Sequence, residues 1–349
     1  MKQEIKNQRR KRNLKSYFFK VLVVFCIIIL ILLFSSRNKK TEDVPLYTNN
    51  LFTSVYHTGS HSEYADKIAL IRVEGIILNS ENNWSWNTIA SANNISDQLY
   101  NAENDSSVKA IILYIDSPGG EETAIEKIHH HIKSVEKKGK KTVALMNSVA
   151  ASGGYYIAAG CDRIIAGKLT ITGSIGVIID SYKYYNLLSK IGVQDEVYKT
   201  GEFKDFLNPA RPSTLREQEL VQNMLNESYE DFIQVVSAGR INKDKSLTVD
   251  YIKKSIIGDG RIFSGQEALN LGLIDKLGYY SDAVDEAIQL AKLDKKNVQI
   301  ITYEGKMGIG ELLSRLLYKK FSINLEIPGI NRNAYIKPGS LYFLYPGAL

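Results

Sequence analysis

No histidine follows position 131 in this chain of 349 residues, so catalytic machinery in the rest of the sequence must work without imidazole. Cysteine is nearly missing as well. Cys26 and Cys161 lie in segments of unlike character, and no disulfide is expected between them. Cys161 reads as a small core residue. No metal-ligand cluster and no nucleotide-binding glycine loop is present, so neither cofactor nor metal is expected. Excess charge is missing from most of the chain too. The net charge is +6, yet Lys2, Lys6, Arg9, Arg10, Lys11, Arg12, Lys15 and Lys20 face only Glu4 in the first twenty residues. The remainder is close to neutral, which argues against nucleic-acid binding.

What the sequence does have begins behind that basic cluster (1–16). Tyr17 to Phe34 is an almost unbroken apolar run with Lys20 near one end. At ~1.5 Å per residue it spans most of a ~30 Å hydrocarbon layer. Ser35 to Lys40 offers no Ala-x-Ala-like site for removal of a leader. The positive-inside rule keeps the basic end cytoplasmic and sends the chain from residue 40 outward. The sequence therefore predicts a single-pass anchor in membrane lipid over 17–34, a polar tether over 35–62 and an extracytoplasmic domain over 63–304.

Within that domain, strands are predicted at 67–75, 108–116, 141–146, 162–167 and 176–180. Helices are predicted at about 86–103, 121–138 and on through 159. Repeated strand, loop and helix predict an α/β fold with parallel pairing. Further on, Ser213 is read as the cap of a helix to Arg240, and Ser264 as the cap of a short one. A helix over 282–292 and a strand over 298–302 follow. Beyond Gly305 a short helix and an apolar tail (305–349) complete the chain. Lys337 to Leu349 is read as an apolar, extended segment that either packs plainly on the domain surface, the simpler reading, or adds a strand to a substrate groove of its own assembly.

One stretch carries the chemistry. Ala150-Ala-Ser-Gly-Gly-Tyr-Tyr156 places Ser152 between small residues directly after the strand Lys141–Met146. Such a turn exposes a serine as nucleophile and leaves backbone N–H groups free to bind an oxyanion. A helix start with a serine cap is the plainer alternative. A base is needed as well. His57 and His61 fall in the tether, and His129, His130 and His131 occupy successive positions of one helix, so at most one of the three faces any site. A lysine is the remaining choice, and burial must lower its proton affinity by roughly 3 pH units to make it a base near neutrality. Lys204, between Phe203 and Phe206, is a candidate; a surface lysine paired with Asp205 is the competing reading.

Five segments in order, Ser117-Pro-Gly-Gly120, Ala151-Ser-Gly-Gly-Tyr-Tyr156, Thr172-Gly-Ser-Ile-Gly-Val177, Gly201-Glu-Phe-Lys-Asp205 and Arg261-Ile-Phe-Ser-Gly-Gln-Glu-Ala268, resemble the signal peptide peptidase A family in its short form. The likeness covers roughly residues 65–290. It implies a Clp/crotonase-like fold of repeated ββα units and a membrane-anchored Ser-Lys endopeptidase acting on cleaved signal peptides and other apolar peptides. It also implies Ser152 as nucleophile, Lys204 as general base, Ser174 as the hydroxyl that orients Lys204, and the amides of Gly119 and Gly153 as oxyanion donors. A homo-oligomeric ring with Ser152 and Lys204 supplied by neighbouring subunits is likewise implied. Two alternatives share part of this pattern: a crotonase-type acyl-thioester enzyme, and an inactive membrane scaffold or chaperone.

Overall fold

The computed structural model describes residues 52–62, 64–80, 89–305 and 342–344. The expected basic cluster, membrane span and short helix beyond Gly305 lie outside these residues. Among the described residues no helix is long and apolar enough to cross a membrane.

Strand β1 (Phe52–Gly59) opens the described chain inside the segment expected to be pure tether. β2 (Asp66–Glu74) and β3 (Ile76–Leu78) follow, with Gly75 between them. β4 (Ile89–Ser91) then leads into helix α1 (Ala92–Asn104), where the Ser91 side chain accepts from the Asn94 amide as N-cap. The same order recurs in β5 (Val108–Ser117), β6 (Gly119–Glu121) and α2 (Glu122–Lys137). The third pass is β7 (Lys141–Ala151), α3 (Gly153–Ala159), β8 (Arg163–Ala166) and β9 (Ile171–Gly173).

Beyond these units the chain forms α4 (Tyr185–Lys190), the long α5 (Leu215–Arg240), α6 (Val249–Lys254), β10 (Ile262–Ser264) and α7 (Gly265–Asn270). The remaining elements are β11 (Lys276–Leu277), α8 (Tyr280–Ala291), β12 (Val298–Gly305) and β13 (Tyr342–Leu344).

The main sheet runs β1-β12-β2-β5-β7-β8-β11, with β9 beside β7 and β10 beside β9. From β12 to β11 the pairing is parallel. β1 joins β12 antiparallel, so the end of the expected tether is stitched to the sheet edge. A smaller sheet runs β13-β6-β3-β4. Each of β2 and β5 thus continues into a strand of the second sheet before its helix, which is the expected ββα repeat.

β5 is buried without a break from Ala110 to Leu113 because both faces of the main sheet are covered there. Ile111, Leu113 and Ile115 pack on one side with Ile125 and Ile128 of α2, Tyr155 and Tyr156 of α3, and Phe232 of α5. Ala110 and Ile112 point to the other side, with Val143, Leu145 and Ala283 and Ala287 of α8. Each such fully buried Ile or Leu contributes about 1.5–3 kcal/mol. Cys161 is buried, as expected of a core residue.

Two local expectations change. The strand expected at 176–180 falls instead at Ile171–Gly173, because Gly173 (φ 81°) and Ser174 (φ 51°) turn the chain out of extended geometry. The long helix is capped by Thr214 rather than Ser213. Thr214 and Glu217 form a reciprocal capping box.

Candidate active site

β7 surfaces at Asn147 and Ser148, is buried again at Ala150 and Ala151, and the chain then turns into α3 at a single residue, Ser152. Its φ of 53° and ψ of −116° lie where a residue with a side chain rarely sits. Neighbouring backbone holds it there: the Ser152 amide donates to the Gly173 carbonyl at 2.8 Å, and its carbonyl accepts from Tyr156 at 2.9 Å. Gly154 permits the turn to approach β5. A Cβ there would stand 2.8 Å from the Ser117 carbonyl oxygen. The Ser152 side chain is buried, and among the described residues its Oγ has no hydrogen-bond partner. It does not cap α3, so the plainer alternative of a capping serine does not apply.

Sheet register gathers three of the other expected site residues around this turn. Ser117 pairs with Ala150, which brings the Ser117–Gly120 loop alongside. Gly119 has φ 104°, open only to glycine at low strain, and its amide donates to the Ser117 Oγ at 3.1 Å. Gly153 is the first residue of α3, where amides have no acceptor within the helix. Ala151 pairs with Gly173, so Ser174 follows one residue beyond that register. Ser174 is buried, and its amide is fixed by the Arg261 carbonyl at 2.8 Å.

β13 borders the same loop. Tyr342, Phe343 and Leu344 pair antiparallel with Glu121, Gly120 and Gly119, so this segment runs as an added strand toward Gly119.

Lys204 is not brought to Ser152 within one chain. It lies exposed in a turn-rich segment, and none of the described side-chain hydrogen bonds or ion pairs joins it to Ser152 or Ser174. Nor is it paired with Asp205, the competing reading. Arg211 holds that carboxylate with two bonds of 2.8 Å, and Lys199 adds a third at 2.6 Å. Phe203 lies under the Arg216 guanidinium, 5.3 Å from ring centre to Cζ.

The histidines stand elsewhere. His129 packs edge-on against Tyr156, 5.2 Å between ring centres, and its ring borders Gly160 at the far end of α3 from Ser152. His131 is buried and stacks edge-on with His130. Burial pushes both His129 and His131 down to about 4, so they are neutral core groups at pH 7.

Residues beyond the sequence reading also support the turn. The Tyr155 hydroxyl donates to the Leu273 carbonyl at 2.8 Å, and the Tyr156 hydroxyl to Asp231 at 2.6 Å. Between them they pin α3 from both sides. Their adjacency to the serine motif was visible in the sequence, but their partners lie 75 and 118 residues away.

A strained serine turn, a glycine loop in register with it and ββα repeats define a peptidase of the Clp type. The pattern of Peptidase family S49 matches residues 134–294, and that of Clp protease matches residues 59–166. A candidate protease from Methanocaldococcus jannaschii is 37% identical over 242 residues, 66% of this chain and 74% of that protein. A candidate signal peptide peptidase A from Enterococcus faecium is 35% identical over 233 residues, 66% of each chain. Protease 4 of Haemophilus influenzae is 34% identical over 230 residues, 66% of this chain and 36% of the longer relative. The chain belongs to peptidase family S49, and it is a serine peptidase. That membership decides against the acyl-thioester and inactive-scaffold alternatives.

Proposed function

We propose that this chain is a membrane-anchored endopeptidase in which Ser152 of one subunit works with Lys204 of its neighbour. The observation that carries the reading is the state of the two groups in a single chain. Ser152 is buried in a strained turn, and its Oγ has no partner among the described residues. Lys204 is exposed on a segment without its own core. A lysine serves as a base only when desolvated, and here a second copy supplies the covering surface. The segment around Lys204 exposes Tyr182 (75%), Leu187 (58%), Ile191 (63%) and Tyr198 (87%). So much apolar area in one place fits burial against another subunit.

In the proposed reaction, Ser152 Oγ attacks a peptide carbonyl and its proton passes to the neutral Lys204 amine. The carbonyl oxygen becomes an oxyanion, held by the Gly153 amide and by the Gly119 amide once it exchanges the Ser117 hydroxyl for that oxygen. One such donor is worth about 3 kcal/mol at the transition state. Lys204 then protonates the leaving amine as the C–N bond breaks, and water hydrolyses the resulting ester in a second cycle. Ser174 orients Lys204 by a neutral hydroxyl, which leaves the amine uncharged. The β13–β6 pairing supports extended peptides as substrates, since an added strand already fits beside Gly119. Apolar peptides such as cleaved signal peptides, met outside the cytoplasm beside the 17–34 anchor, are the proposed substrates.

The test is hydrolysis of an apolar peptide by the full chain beside Ser152→Ala and Lys204→Ala. Both variants are expected to lose at least a thousandfold in kcat. Full activity in either one overturns the dyad.

A further inference from the structure

Asp205 is covalently next to the proposed base, yet its carboxylate is turned away and fully engaged. Arg211 grips it through Nε to Oδ2 and through one terminal nitrogen to Oδ1, both at 2.8 Å, and Lys199 reaches Oδ1 at 2.6 Å. Arg211 also grips Glu217, at 2.5 and 2.9 Å. Glu217 is itself buried and closes the capping box with Thr214, so this arginine is anchored to the first turn of α5. Two cations and two carboxylates therefore cancel. Of the other charges on this segment, Arg216 pairs with Glu202 at 2.5 Å, while Asp195 accepts from the neutral Asn208 amide at 3.1 Å and keeps its charge in all the variants below. Lys183 likewise keeps its charge, donating a hydrogen bond to the Asn208 backbone carbonyl at 2.7 Å.

A balance of this kind has a chemical consequence beside an amine that must be neutral to act. A bare carboxylate on the next residue stabilises the ammonium form and removes the base near neutral pH. We infer that Arg211 is a positioning residue for the peptidase reaction: by occupying the Asp205 carboxylate, it keeps that carboxylate from holding a proton on Lys204. The inference rests on Lys204 as the base. Arg211 and Lys199 hold the Asp205 carboxyl far below the usual carboxylate range, as expected of a group bound on both oxygens.

The sign of each perturbation follows from the four-charge sum. Arg211→Met leaves one net negative charge near Lys204, so the acid limb of the kcat/KM profile moves to higher pH. Asp205→Asn leaves one net positive charge, so the limb moves to lower pH. Each displacement is about half to one pH unit, the size expected of one charge acting on a neighbouring amine near a surface. Arg211→Met combined with Asp205→Asn restores the limb to within a few tenths of a unit, and Arg211→Lys, which keeps the charge, leaves it near its original place.

The experiment is the pH dependence of kcat/KM for an apolar peptide across these four variants and Lys204→Ala in the full chain. A role in folding alone lowers activity at every pH without displacing the limb, and that outcome overturns the inference. So does a limb that Asp205→Asn leaves in place, a result that needs only this mildest substitution to fold. If Lys204→Ala retains activity, the base assignment itself fails; if it is inactive while the limbs stay fixed, only the role of Arg211 fails.

Discussion

The Ser152 amide donates to the Gly173 carbonyl at 2.8 Å, tying the strained serine turn to the last residue of β9, directly before Ser174. One hydrogen bond thus couples the geometry of the proposed nucleophile to that of the hydroxyl proposed to orient its base.

Because Ser152 has φ 53°, the turn stores strain that a residue without Cβ releases. Ser152→Gly is expected to be more stable than Ser152→Ala by about 1 kcal/mol, although both are inactive. Chemical unfolding of the two variants measures the difference. Equal stability would mean that the turn is not strained.

His129 and His131 are neutral in the folded protein, pushed down to about 4 from their ordinary 6.5 by burial. The unfolded chain therefore binds more protons below 6.5. The stability they contribute is complete above that pH and is lost as pH falls toward 4. Unfolding free energy measured between pH 7 and 4 is expected to decline, and to decline less in His129→Gln. Activity is expected to show no acid limb belonging to either ring, since neither faces Ser152.

Arg240 is buried, with its guanidinium on Asp275 at 2.9 and 3.2 Å. Asp275 also accepts from the Ile164 amide at 2.8 Å, so the pair fastens the end of α5 to β8. Asp275→Ala leaves a buried cation without its partner and is expected to cost about 3–5 kcal/mol in denaturant unfolding. A loss below 1 kcal/mol would show that the pair is solvated in solution.

β13 lies on β6 where an extended substrate is proposed to bind. Removing the chain after Ile336 is expected to raise turnover of an added peptide several-fold at low substrate and to lower its KM. An unchanged KM would show that the segment does not compete with substrate.

Much of this was legible in the sequence because it is local. The continuous apolar runs of β5 and β7 announced buried parallel strands, and small residues around Ser152 announced the turn. Long-range events were not legible. β1 formed inside the expected tether because β12, more than 200 residues later, offered it an edge. The strand near 176–180 moved to Ile171–Gly173 because the positive φ of Ser174 depends on the Arg261 carbonyl that its amide meets. The Asp205 carboxylate looked like a partner for Lys204 until Arg211, six residues on, was seen to take it. Lys204 was a candidate from its Phe203 and Phe206 neighbours and from the family resemblance, and one chain by itself gives it no burial.

Subunit mixing tests the central claim most directly. Ser152→Ala and Lys204→Ala chains, each inactive alone, are dissociated together in mild detergent, allowed to reassemble and assayed on an apolar peptide. If neighbouring subunits share each site, mixed assemblies contain intact Ser152/Lys204 pairs, and activity is expected to recover to about a quarter of the original at equal proportions. Mixtures as inactive as their parents, with exchange verified by differently tagged chains, would contradict a dyad built between subunits.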